Sequence, residues 1–158
     1  MELFRLVKTA YSSDPFNPVG SIKSPGRWNT DQYGVLYTAT SASLAILEVL
    51  AHLTFDPKAG APAYNLVRFE VDDPLIAMFP VHYLSSDWKS NYTKTNTLLS
   101  IWYQEENPKY MGFKVPSALV DFEYNCLLNP NHSAFKKLTI ASNFPFPLDT
   151  RLYTRFAI

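Results

Sequence analysis

Glu48 has the surroundings that most need a chemical explanation. It stands in the run Leu44-Ala-Ile-Leu-Glu-Val-Leu-Ala-His52, where nearly every neighbour is apolar. An ionised carboxylate on such a segment is costly unless a partner or a cavity receives it. At helical spacing His52 lies one turn further on, and Ser41 and Ala45 lie on the preceding turns of the same face. A fixed carboxylate of this kind can stabilise a developing positive charge, hold a hydroxyl group, or form a structural ion pair or narrow solvent-facing stripe. Arg27 follows Pro25-Gly26 and precedes Trp28-Asn29. Glycine allows the backbone to approach a ligand closely, and a guanidinium clamps phosphates bidentately. Trp28 can stack on a ring or anchor the loop in the core. Arg5 sits among apolar residues near the start and calls for an anionic partner. Tyr37 and Ser117 complete the set, Tyr37 as a core or pocket aromatic and Ser117 as a rim donor or the polar start of a strand.

Several chemistries are excluded. The histidines, His52, His82 and His132, lack metal-ligand spacing, and Cys126 is the only cysteine. Neither disulfide nor thiolate cluster can form within the chain, and Cys126 reads as a small apolar residue in a strand. There is no Walker loop, no Rossmann glycine fingerprint, and no nucleophile elbow around Ser117. Fourteen basic residues balance fourteen acidic ones, so the footprint of a protein that grips nucleic acid by itself is missing. No signal peptide or membrane-length apolar run is visible, and a cytoplasmic protein is expected.

The elements that must position these residues follow from periodicity. A first strand places Leu3, Arg5 and Val7 on one face, with Phe4 and Leu6 on the other. From Ser12 to Asn29 the prolines and glycines predict a long loop of functional character. A strand follows over Val35–Thr40, and Ser41 caps a helix from Ala42 to about Leu53 that is apolar almost all round and therefore expected to be buried. Further expectations are a strand over Leu66–Val71, a helix near Thr95–Gln104, a strand over Ser117–Leu128 ended by Asn129-Pro-Asn-His132, and a strand over Leu138–Ala141. Without repeat or linker, residues 1–158 read as one α+β domain.

Three stretches together resemble the RES domain, a toxin family named for its Arg, Glu and Ser. The first is Gly26-Arg-Trp-Asn29 with Val35-Leu-Tyr-Thr-Ala39 and Leu44-Ala-Ile-Leu-Glu48. The second is Val115-Pro-Ser-Ala118 leading to Glu123, Asn125 and Leu127-Leu-Asn-Pro-Asn-His132. The third is the tail Leu148-Asp-Thr-Arg-Leu152, similar to the family's closing strand. Two positions depart from the pattern: Pro25 and Ser100 stand where glycine is expected. The resemblance implies an ADP-ribosyltransferase-like fold of split antiparallel β-sheets with flanking helices. It further implies a toxin that degrades NAD+ at the nicotinamide–ribose bond, using water or phosphate, or that transfers ADP-ribose to a protein. A non-catalytic interaction module with the same fold is the reading from another class. By resemblance Glu48, Arg27, Tyr37 and Ser117 are the catalytic set. Arg5, Arg27, Trp28, Asn29, Tyr37 and Ser117 are the NAD+ contacts, and no metal takes part. The implied partner is an Xre-type helix-turn-helix antitoxin, with a homodimer also expected.

Overall fold

Alternating apolar residues at both ends of the chain and through its middle give strands that can bury one or both faces, and they do so in a single sheet. The computed structural model describes residues 1–53 and 62–152. In chain order these contain β1 (Glu2–Lys8), α1 (Val19–Lys23), β2 (Leu36–Ala39), α2 (Ala42–Ala51), β3 (Tyr64–Glu70), β4 (Ile76–Met78), α3 (Tyr92–Gln104), β5 (Gly112–Pro116), β6 (Tyr124–Leu128) and β7 (Thr139–Phe146).

The fold is mixed α+β. The expected split pair of sheets is instead one hydrogen-bonded sheet of seven strands in the order β4-β5-β6-β2-β1-β3-β7. All pairs are antiparallel except β4–β5, whose crossover carries α3. The sheet is pinched in the middle. β1 and β2 meet at the single pair Phe4↔Ala39, whereas β1 pairs with β3 along its whole length. On one face Leu3, Val7, Leu36, Val67, Phe69, Cys126 and Leu128 form a core. On the other, α3 packs Leu99 and Trp102 against Trp28, Val115 and Leu127. α2 covers that second face near the pinch, with Leu44 and Ala45 against Phe4 and Ala39. Its Ile46 and Val49 pack against Leu6, Tyr64 and Leu66.

Four expectations are corrected. α2 is not buried all round, because it lies on one side of the sheet: Leu44 and Ala45 are buried, while Leu47 is 41% exposed. The Ser117–Leu128 segment is a strand only from Tyr124. Pro116 ends β5, and a turn returns the chain so that Pro116 pairs with Tyr124. In that turn Phe122 adopts φ 71°, an uncommon conformation for a bulky residue. The loop from Ser12 to Asn29 contains the short helix α1. Finally, the tail resembling a closing strand forms a helical turn at Thr150–Leu152, where the Arg151 guanidinium pairs with Asp149 at 2.7 Å. The last strand is β7, which runs on through Pro145, a residue its edge position tolerates.

Candidate active site

The α2 helix begins where Ser41 Oγ accepts the Leu44 amide at 3.1 Å. The same hydroxyl donates to Glu123 Oε2 at 3.0 Å. Seven residues on, Glu48 returns to the same helical face. There Ser117 Oγ donates to Glu48 Oε1 at 3.1 Å, and Asn125 Nδ2 donates to the same oxygen at 2.6 Å. The helix is thus tied to the entry of β6 at two points, and Glu48 is held by one hydroxyl and one amide. Among the described residues both donors converge on Oε1 and none reaches Oε2.

Ser117 is 2% exposed, and its oxygen also accepts the amides of Leu119 at 3.1 Å and Val120 at 3.2 Å. Two acceptor bonds and one donor bond fill the capacity of a serine hydroxyl. Ser117 is therefore a buried organiser of the turn and of Glu48, not a donor at a rim.

The glycine-containing loop is knotted around Asn29. Asn29 Oδ1 receives Gly26 N at 3.0 Å and the Tyr37 hydroxyl at 2.9 Å. Its Nδ2 donates to the carbonyls of Ser21, Thr30 and Tyr33. The Tyr37 hydroxyl accepts the Trp28 amide at 3.2 Å. A Cβ on Gly26 would lie 2.8 Å from Tyr37 Oη. Glycine is required here for close approach of the loop to a side chain. Trp28 and Asn29 are each 3% exposed. Trp28 packs on Phe79 and Trp88, so it anchors the loop in the core.

Arg27 turns the other way. Its Nη1 donates to the carbonyls of Trp88 at 2.7 Å and Lys89 at 2.5 Å. The guanidinium carbon lies 4.3 Å from the Tyr92 ring centre and 5.5 Å from that of Trp88. The Arg27 carbonyl accepts the buried Thr95 hydroxyl at 2.6 Å. Lys89, whose carbonyl holds Arg27, pairs through Nζ with Asp121 at 2.7 Å, joining this loop to the Ser117 turn.

Tyr37 stands between the two charged groups. Burial pushes its phenol well above the usual tyrosine range; the Trp28 hydrogen bond and the charge of Arg27 lower it, while Glu48 raises it. The phenol is neutral at physiological pH, and its hydroxyl experiences both charges. Glu48, Ser117 and Asn125 are joined by hydrogen bonds, and Tyr37, on the same sheet face, feels the charges of both Glu48 and Arg27.

Arg5 does not join this group. It leaves β1 on the face of Leu3 and Val7, opposite the Phe4 face against which α2 packs. There Nη1 donates to the Pro15 carbonyl at 2.7 Å. Burial brings its guanidinium down to about 10, against an upward pull from Asp14. The sequence called for an anionic partner; the hydrogen-bond partners are instead the neutral carbonyls of Pro15 and Asn17, with the charge of Asp14 acting from further off. His52 is exposed at the C-terminal end of α2. Cys126 is buried in β6, and burial pushes its thiol up to about 12, in keeping with a core role. Among the described residues no group of three or more His, Cys, Asp or Glu side chains could hold a metal ion. No helix among them is long and apolar enough to cross a membrane. Asn125 is the site residue the chemical reading passed over, although a polar residue on a strand otherwise reading Cys-Leu-Leu was a signal.

A carboxylate, a neutral phenol and a guanidinium on one face of a pinched α+β sheet define a candidate nucleotide-handling site. The RES domain family model matches residues 2–149, and the chain belongs to that family. It is 31% identical over 155 residues to the "Toxin Res" of Yersinia enterocolitica, covering 96% of this chain and 99% of that protein. The "Toxin Res" of Photorhabdus laumondii is 32% identical over 155 residues, covering 96% and 97%. The "Prs ADP-ribosylating toxin" of a Sphingobium species is 31% identical over 128 residues, covering 77% and 76%.

Proposed function

We propose that this protein is the toxin of a toxin–antitoxin pair and consumes NAD+ by cleaving the bond between nicotinamide and ribose. The observation that carries the reading is the Glu48 carboxylate, fixed by Ser117 and Asn125 beside a neutral Tyr37 with Arg27 beyond it. Departure of nicotinamide leaves positive charge on the ribose, an oxocarbenium-like state of the kind that carboxylates stabilise in glycoside hydrolysis. Glu48 supplies the opposing negative charge or accepts a hydrogen bond from a ribose hydroxyl. Nicotinamide leaves as a neutral base and needs no protonation, which fits a set of residues with no histidine among them. Water as acceptor yields ADP-ribose and a proton; phosphate yields the phosphorylated sugar.

Arg27 is the pyrophosphate clamp in this reading. Nη1 is held by two carbonyls and Nη2 makes only a long bond of 3.5 Å to the Tyr92 hydroxyl, a contact that phosphate oxygens would replace. Tyr37 offers its ring to the nicotinamide or its ribose, while its hydroxyl is occupied by the loop. Trp28 and Asn29 act through the loop, and Arg5 supports it from the opposite face. The pinch at Phe4↔Ala39 divides the strands into two groups, β4-β5-β6-β2 and β1-β3-β7, a division compatible with an ADP-ribosyltransferase-like architecture.

Transfer of ADP-ribose to a protein is the second reading, favoured by the printed description of the Sphingobium relative and by Phe122, which is 97% exposed on the Ser117 turn. An Xre-type helix-turn-helix antitoxin is the partner we propose, together with self-association as a homodimer. The test is release of free nicotinamide from labelled NAD+ by purified protein, with and without phosphate, and with lysate to detect labelled protein. Glu48→Gln is expected to keep the fold and abolish release. Undiminished turnover in that variant removes Glu48 from the chemistry, whereas no release by the parent protein leaves the non-catalytic module.

A further inference from the structure

β6 passes through the centre of the sheet, paired with β5 on one side and β2 on the other, and its last residues Cys126, Leu127 and Leu128 are fully buried. Asparagine is a poor choice for such a strand, because its short amide competes for backbone hydrogen bonds and packs badly on a pleated surface. Yet Asn125 occupies the position flanked by Ala39 of β2 and Val115 of β5, on the face where α2 lies. Its Nδ2 makes the shorter of the two bonds to Glu48 Oε1, 2.6 Å against 3.1 Å from Ser117.

We propose that Asn125 is a positioning residue for the reaction: with Ser117 it occupies Glu48 Oε1 and so turns Oε2 toward the ribose. This rests on the NAD+-cleaving reading above. The two donors come from opposite ends of one turn, Ser117 after β5 and Asn125 within β6, and they fix both the height and the rotation of the carboxylate. A single donor would leave the group free to rotate about its last bond. Neutral donors also leave the negative charge intact for the developing cation, whereas a lysine or arginine at position 125 would cancel it.

The test uses Asn125→Ala and the isosteric Asn125→Asp in the full chain, with nicotinamide release measured over a range of NAD+ concentrations. Asn125→Ala is expected to lower kcat roughly 10- to 100-fold, the loss typical of a displaced reacting group. KM should change less than about threefold, because Asn125 does not touch the nucleotide. In Asn125→Asp a second carboxylate repels Glu48, and kcat is expected to fall at least as far. A purely structural tie between α2 and the sheet would lower the thermal midpoint and leave the kcat of the folded protein unchanged. A kcat within twofold of the parent in both Asn125 variants, with Glu48→Gln inactive, overturns the proposal alone. Turnover surviving in Glu48→Gln removes Glu48 from the chemistry and overturns this inference, whereas no nicotinamide release by the parent protein overturns the NAD+ reading itself.

Discussion

Adding one methyl group at Gly26 tests whether the loop and Tyr37 are a single locked unit. The new Cβ would lie 2.8 Å from Tyr37 Oη and 3.2 Å from Cζ. No relief comes from swinging the hydroxyl away, because it accepts Trp28 N at 3.2 Å and donates to Asn29 Oδ1 at 2.9 Å. Overpacking of this kind costs about 1–3 kcal/mol. Tyr37→Phe removes the hydroxyl and leaves the amide of buried Trp28 without that acceptor, again costing about 1–3 kcal/mol. In a chain of this size each kcal/mol lowers the thermal midpoint by about 2–4 °C, so each single variant should fall by roughly 2–12 °C. The double variant separates the causes. Phenylalanine carries no Oη, so the alanine methyl loses its worst contact and the combined cost should be at least about 1 kcal/mol less than the sum. Urea unfolding of all four proteins, followed by circular dichroism, measures this coupling. Strict additivity, within about 0.5 kcal/mol, refutes the claim that Gly26 is glycine because Tyr37 stands against it.

Ser117→Ala should destabilise the chain by about 1–2 kcal/mol, since it strips a shared acceptor from the amides of Leu119 and Val120. It should also slow nicotinamide release with little change in KM, as expected of a group that holds Glu48 instead of substrate. Cys126 gives a pH test. Its thiol is raised from 9.0 to about 12 in the folded chain, so the folded state holds its proton where the unfolded state has lost it. The stabilisation this provides is complete below pH 9 and is lost as pH rises from there toward 12. Unfolding free energies of the parent and of Cys126→Ala should therefore converge as pH rises above about 9, and a constant gap contradicts the assignment. Folded protein should also resist a thiol reagent at pH 8 until denaturant is added.

The sequence was legible where a signal is local. The Ser41 cap, α2 and α3 follow from capping and periodicity, and β1, β2 and β3 from alternation, each within a few residues of its observed bounds. Illegible parts share a different cause. β4 has three residues, too few to show a period, and is a strand only because β5 lies beside it. The turn from Ser117 to Glu123 contains no glycine, and its left-handed residue is Phe122, so propensity gives no warning. What ends the strand is the side chain of Ser117 capturing two amides. Within the site, Glu48 stood out because its neighbours are apolar, and Asn125 did not because its partner is distant in the chain. Trp28 and Asn29, NAD+ contacts by resemblance, are each 3% exposed, and sequence adjacency to Arg27 says nothing about direction. Trp28 packs into the core against Phe79 and Trp88 and Asn29 ties the loop together, while Arg27 reaches the Lys89 carbonyl and the Tyr92 ring.

Keeping Glu48 and Arg27 apart is a physical requirement of the proposed chemistry. Paired with each other they would form a short, partly buried ion pair, each quenching the charge the other needs for its task. The described ion pairs join Met1 to Asp73, Arg68 to Glu2, Lys89 to Asp121 and Arg151 to Asp149. Neither Glu48 nor Arg27 is among them. The carboxylate is satisfied by an amide and a hydroxyl, the guanidinium by two carbonyls and two aromatic rings, and Tyr37 stands between them with no charge of its own. NAD+ carries the matching pattern, a pyridinium on the ribose at one end of the reacting half and a pyrophosphate at the other. A site with its negative and positive groups held separately by neutral donors and acceptors can meet both ends at once, and it needs no rearrangement of its own charges as nicotinamide departs.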